Sequence, residues 1–134
     1  MIDNNYLDHF DEVEGIEFNL LLNTYMESVF TALGGGFKES IYQHSIGIEF
    51  RRLGFNVQKE TNIPIFYKGE EVGTVRIDML VDRKYLIEFK AISKITEKEI
   101  NQVKRYLNLL RGDGVVCGFI INVKLDRYEI ITVQ

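Results

Sequence analysis

Apolar side chains recur at helical spacing early in the chain. Phe18, Leu21, Leu22, Tyr25, Val29 and Leu33 predict an amphipathic helix of about four turns. Gly34-Gly35-Gly36 stops it, because three successive glycines lose too much backbone entropy to stay helical. A second stripe, Tyr42, Ile46, Phe50 and Leu53, predicts a helix over about residues 37–53, closed by Gly54. Glu39 falls in its first turn, where the helix dipole favours a carboxylate. The period then changes to two. Residues 55–59 alternate, and Pro64 between Ile63 and Ile65 predicts an edge strand or a strand start. After a turn at Lys68-Gly69-Glu70, residues 72–81 alternate again. Val75, Ile77, Met79 and Val81 are expected on one face, with Thr74, Arg76, Asp78 and Leu80 on the other. Asp82-Arg83-Lys84 turns the chain into a strand at 85–91, on which Leu86, Glu88 and Lys90 share a face. Thr96 followed by Glu99 has the capping-box pattern and opens a helix that ends at Leu110, with Ile100, Val103, Leu107 and Leu110 as its stripe. Residues 115–122 are almost continuously apolar, as in a strand buried on both faces, and Tyr128–Val133 is the last strand. The order α-α-β-β-β-β-α-β-β predicts an α/β fold, a sheet with helices on its faces.

Composition narrows the class. At 134 residues and 46% apolar the chain makes one domain that needs no metal or disulfide staple, and its nine Phe and seven Tyr argue against disorder. No charge-free stretch approaches the roughly 20 apolar residues of a membrane span. The start Met-Ile-Asp-Asn-Asn-Tyr lacks the basic and apolar regions of a secretory leader, and the lone Cys117 lies in an apolar run as a packing residue. An intracellular, cytoplasmic protein is expected. The net charge of -4 is uneven: Asp3, Asp8, Asp11, Glu12, Glu14 and Glu17 stand in residues 1–17 without a base. Residues 18–134 carry 14 acids against 16 bases. An acidic, solvated leader at 1–17 is therefore expected before a single domain at 18–134, and the acidic pI does not exclude a nucleic-acid partner.

Candidate chemistry centres on two adjacent strands. Strand parity puts Glu88 and Lys90 on one face, and a hairpin brings Asp78 beside them. Two converging carboxylates repel unless a cation separates them, and oxygen-only ligands suit Mg²⁺ or Mn²⁺. A lysine beside such a site can hold a phosphate or help deprotonate a water. The same residues can equally form a solvated cross-strand salt bridge, and the residues alone leave both readings open. Gly34-Gly35-Gly36 lacks the Lys-Ser/Thr of a phosphate loop, so no nucleotide cofactor is expected. His9 and His44 are too isolated for zinc. Tyr42 serves either the core or the site.

Ile77-Asp78-Met79-Leu80-Val81 followed by Glu88-Phe89-Lys90 resembles the D…(D/E)-x-K core of the PD-(D/E)xK nuclease superfamily, with Ile77 in place of the proline. Gly36, Glu39 and Tyr42 are similar to the G-x-x-E-x-x-Y signature of the GxxExxY family within it, and Gln102 with Tyr106 to the Q-x-x-x-Y motif of RecB-like nucleases. The resemblance runs from about residue 33 to the C-terminus. It implies a restriction-endonuclease-like core, a central mixed sheet flanked by helices, and Mg²⁺- or Mn²⁺-dependent endonucleolytic hydrolysis of DNA. It further implies Asp78 and Glu88 as metal ligands, with the Phe89 carbonyl as an extra one, Glu39 as a third ligand or acting through a metal-bound water, and Lys90 as the catalytic lysine. Gln102 would be a further catalytic group. Gln102 and Tyr106 would contact nucleic acid, and Lys38 and Arg76 are expected beside it. A non-cleaving nucleic-acid-binding or protein-interaction module with the same fold is the alternative. Cutting both strands of a duplex needs two sites, which a homodimer supplies. The first helix offers either a face for that second copy or a layer on the chain's own sheet.

Overall fold

The computed structural model describes residues 4–134, with side chains from Glu14 onward. Its five strands are β1 (Val57–Tyr67), β2 (Glu70–Val81), β3 (Tyr85–Lys90), β4 (Cys117–Val123) and β5 (Tyr128–Val133), in the order β1-β2-β3-β4-β5. All neighbours are antiparallel except β3 and β4, which run parallel. A parallel pair needs a crossover, and α3 (Glu97–Leu110) supplies it. Helices α1 (Asn4–Leu33) and α2 (Glu39–Arg52) cover the opposite face. The expected α/β class with a mixed, helix-flanked sheet is what the chain forms.

Each face has its own core. Met79, Val81, Ile87, Phe89, Cys117, Phe119 and Ile121 pack beneath α1 and α2, whereas Ile77, Leu80, Leu86 and Ile120 pack beneath α3. Every residue of β4 is buried, which explains its uninterrupted apolar run. The capping box at Thr96 forms, with the Thr96 amide donating to Glu99 Oε2 at 2.8 Å. Gly118 lets α3 approach closely: a Cβ there would lie 2.6 Å from Val103 Cγ1.

Four expectations are corrected. The strands expected at 55–59 and around Pro64 are one element, β1, in which Pro64 pairs with Thr74 at the sheet edge. Strand parity along β2 breaks at Asp78, so Ile77 faces α3 while Met79 and Val81 face α1 and α2. At the facing rung of β1, Glu60 has φ 53°, and β2 pairs with β3 only from Met79 onward. Leu53, expected on the α2 stripe, lies beyond the helix and is 58% exposed.

The fourth concerns α1. It begins at Asn4 rather than near Phe18, so it is longer than the four turns expected, and Glu14 pairs with Lys84 at 3.7 Å. The side chains of Asp3, Asp8, His9, Asp11 and Glu12 lie outside the described residues. Phe18, Leu22, Met26 and Val29 are buried against the chain's own sheet. Phe18 stacks on Tyr85 with ring centroids 3.9 Å apart. Burial of side chains this size is worth about 1.5–3 kcal/mol each. The stripe that offered a face to a second copy is thus covered from within. Among the described residues no helix is long and apolar enough to cross a membrane.

Candidate active site

Strands β2 and β3 separate after the Met79–Ile87 rung, and two carboxylates bridge the gap. The Asp78 amide donates to Glu88 Oε1 at 3.1 Å, and the Phe89 amide donates to Asp78 Oδ2 at 2.9 Å. Each acid thereby takes a backbone donor that the ladder no longer uses. From α2, Gln43 Nε2 donates to the Asp78 carbonyl at 2.8 Å, fixing that residue from the other side. Asp78 is held at its amide, its carbonyl and its carboxylate. The parity break coincides with these three bonds.

Glu88 is 4% exposed. Burial, and next the charge of Asp78, push its carboxyl up to about 9, although the nearby Lys90 charge opposes them. Two carboxylates this close keep a proton between them unless a cation replaces it. The donor set, oxygen-only and part-buried, fits a hard divalent cation.

Lys90 ends β3 and reaches α3, where its Nζ donates to Gln102 Oε1 at 3.0 Å. Gln102 Nε2 in turn donates to Tyr106 Oη at 3.1 Å, one helical turn on. Desolvation, and then the Glu88 charge, raise the Tyr106 hydroxyl above its usual range. Asp78, Glu88, Lys90, Gln102 and Tyr106 therefore form one connected site beneath α3.

The remaining expected residues stand outside it. Glu39 is exposed on the first turn of α2, in a depression shared with Lys38, Ser40 and Ala91. Among the described residues no three His, Cys, Asp or Glu side chains gather as a metal cage, so Glu39 does not close on Asp78 and Glu88. Arg76 makes an exposed ion pair with Glu60 at 2.7 Å. Tyr42 is fully buried in the core, and its hydroxyl donates to the Gly34 carbonyl at 2.8 Å and accepts from the Phe37 amide at 3.2 Å. It ties the glycine loop to the start of α2.

Two positioning residues escaped the sequence reading. Gln43 is one. Its signal was Gly47 a turn later, a small residue on a helix face that lies close to the sheet. The other is Asn122, fully buried opposite Lys90. Its Oδ1 accepts from the Ile92 amide and its Nδ2 donates to the Ile92 carbonyl, both at 2.9 Å, which clamps the chain leaving Lys90. A polar residue ending an apolar run must find such partners, and that was the readable sign.

No curated protein and no solved structure matches the chain. A family model described as the PD-(D/E)XK nuclease superfamily matches residues 17–132, which takes in the second half of α1 and all of the sheet but Val133. The match spans the interlocked acids, the lysine and the α3 residues that hold it, and the chain belongs to the PD-(D/E)XK nuclease superfamily.

Proposed function

We infer that this chain is a divalent-metal-dependent endonuclease that hydrolyses DNA phosphodiester bonds. One observation carries the reading: Asp78, half-buried, is interlocked with the buried Glu88 within charge range of Lys90. Asp78 and Glu88 would hold Mg²⁺ or Mn²⁺, and Glu39 would act from the cleft edge through water, with the Phe89 carbonyl as a further ligand. The ion would supply Lewis acidity at the phosphate and a more acidic water. Lys90 orients the scissile phosphate and takes part in proton transfer from the attacking water. Gln102 holds the lysine ammonium in place, and Tyr106 holds Gln102. Lys38 and Arg76 contribute positive charge along the DNA path.

Membership of the GxxExxY family is part of this reading. It is supported by the role of its tyrosine, since Tyr42 braces the turn from which Glu39 projects. A cytoplasmic setting goes with it and is supported by cysteine usage, a single thiol buried in β4.

The test is incubation of the purified chain with Mn²⁺ and plasmid, single-stranded or branched DNA. Wild type should cut at least one substrate. Lys90→Ala should lose about 10²–10³-fold in rate while binding Mn²⁺ normally by calorimetry, and Asp78→Ala should lose the Mn²⁺ affinity itself. Binding of DNA without cleavage of any substrate would sink the nuclease reading in favour of a non-cutting module.

A further inference from the structure

Past Lys90 the chain lines a trough of about 510 Å³. Its walls are residues 91–93, the loop at Gly36 and Phe37, and the β4–β5 turn. The trough therefore opens at the carboxyl ends of the parallel strands β3 and β4, where α/β sheets generally bind their ligands. The depression beside Lys38 and Glu39 shares Ala91 with it, so the two are continuous with the end of the catalytic strand.

Its walls are set in advance. A Cβ on Gly35 would collide with the Lys124 carbonyl oxygen, so the glycine loop rests directly on the β4–β5 turn. The 91–93 wall is held at Ile92 by both polar atoms of the buried Asn122. Two large apolar side chains nevertheless remain in the open here, Phe37 at 49% and Leu125 at 79% exposure. Arg127 in the trough wall and Lys38 in the adjoining depression stand near them, with Asp126 and Glu39, while Lys124 is paired with Glu129 at 3.8 Å. An open aromatic ring beside cations suits a ligand with a flat apolar face and a negative charge, which describes a nucleotide.

We propose that this trough is a subsite for one unpaired nucleotide of single-stranded DNA, adjoining the scissile phosphate. Its base stacks on Phe37 with Leu125 along the same trough, and its phosphate lies between Lys38 and Arg127. A base held there has left its duplex stack, so the preferred substrate is a single strand or a frayed end. The assignment rests on the nuclease reading for the identity of the polymer.

The test is binding without cutting: fluorescence anisotropy in chelator, with a labelled 12-nucleotide single strand and versions carrying one abasic site at each position in turn. For wild type, one abasic position should weaken binding by about 5- to 100-fold, the usual worth of a base stacked on an aromatic ring. Phe37→Ala with Leu125→Ala should bind the intact strand that much more weakly and become indifferent to the abasic site. Both residues are exposed, so an unchanged thermal midpoint is expected and confirms folding. A wild type indifferent to every abasic position, or a double variant that keeps the abasic penalty, overturns the proposal. So does a fully paired duplex that binds as tightly as the single strand with the same Phe37 dependence. Failure of the nuclease reading would look different: no Mn²⁺-dependent cleavage, whatever these affinities are.

Discussion

At Glu88 the chain holds an acid where an acid is least comfortable. Its carboxyl, pushed from an ordinary value near 4.5 up to about 9 by burial and by Asp78, stays protonated in the metal-free fold. The unfolded chain has already lost that proton above pH 4.5. Stability from this group is therefore complete below that pH and is lost as pH climbs toward 9. Urea midpoints in chelator should fall from pH 5 to pH 9, and Glu88→Gln should flatten the decline; a wild-type slope equal to that of the variant would refute it. Manganese should restore stability most at the alkaline end. Gln43 makes the second residue-scale case. Gln43→Met keeps the side chain's length but leaves the Asp78 carbonyl without its donor, a loss of about 1–3 kcal/mol. Mn²⁺ affinity should fall by about 10- to 100-fold, as when a group that orients a metal ligand is removed. Thermal unfolding and calorimetry measure the two effects, and unchanged affinity would reduce Gln43 to a packing residue. Asp78, Glu88 and Lys90 were legible in the sequence because strand parity and one hairpin are local facts. Gln43 was not, since it meets Asp78 across 35 positions of chain.

Among the elements, α3 and the strand it packs on were the most legible. Capping chemistry and the two-sided apolar run are written in consecutive residues, and both formed where expected. The start of α1 and the unity of β1 were hidden for a physical reason. An edge strand is stabilised by its partner, so the alternation around Pro64 carries little of its own signal. The parity break at Asp78 goes with bonds to α2 and β3, long-range partners that no period can encode. How closely α3 sits on β4 governs the setting of Lys90, the proposed catalytic lysine, because α3 carries Gln102 beside Val103. Gly118→Ala places a Cβ 2.6 Å from Val103 Cγ1, so α3 must shift outward. Overpacking of this kind costs about 1–3 kcal/mol, and it should lower cleavage by loosening the Lys90–Gln102 contact. Thr96→Ala is the control at the same element: it should cost about 1 kcal/mol through the lost cap, with the rate unchanged. Equal rates for Gly118→Ala and Thr96→Ala, each measured well below its unfolding temperature, would break the link between helix distance and activity.

For the whole molecule, the decisive fact is where α1 goes. Its apolar stripe closes the core over Tyr85, Phe50 and Phe119, and the family match includes this half of the helix. On its outer side Ile16 and Leu20 are exposed, two side chains a turn apart. A stable dimer buries about 1,200–2,000 Å², far more than that pair provides. With the α1 stripe covered from within, the expected state is a monomer with one site. Light scattering at tens of micromolar should give a mass near 15.6 kDa. A single site breaks one strand per encounter, so supercoiled plasmid should pass through open circles, and linear DNA should appear only after a second, independent nick. Its accumulation should lag and should vary with enzyme concentration more steeply than the first cut. Linear product rising from the first time points, together with a mass near twice the monomer's, would return the second copy to the mechanism. The expected pattern instead agrees with a cleft that accepts one unpaired nucleotide at a time, because a nicking monomer has no need to hold both strands.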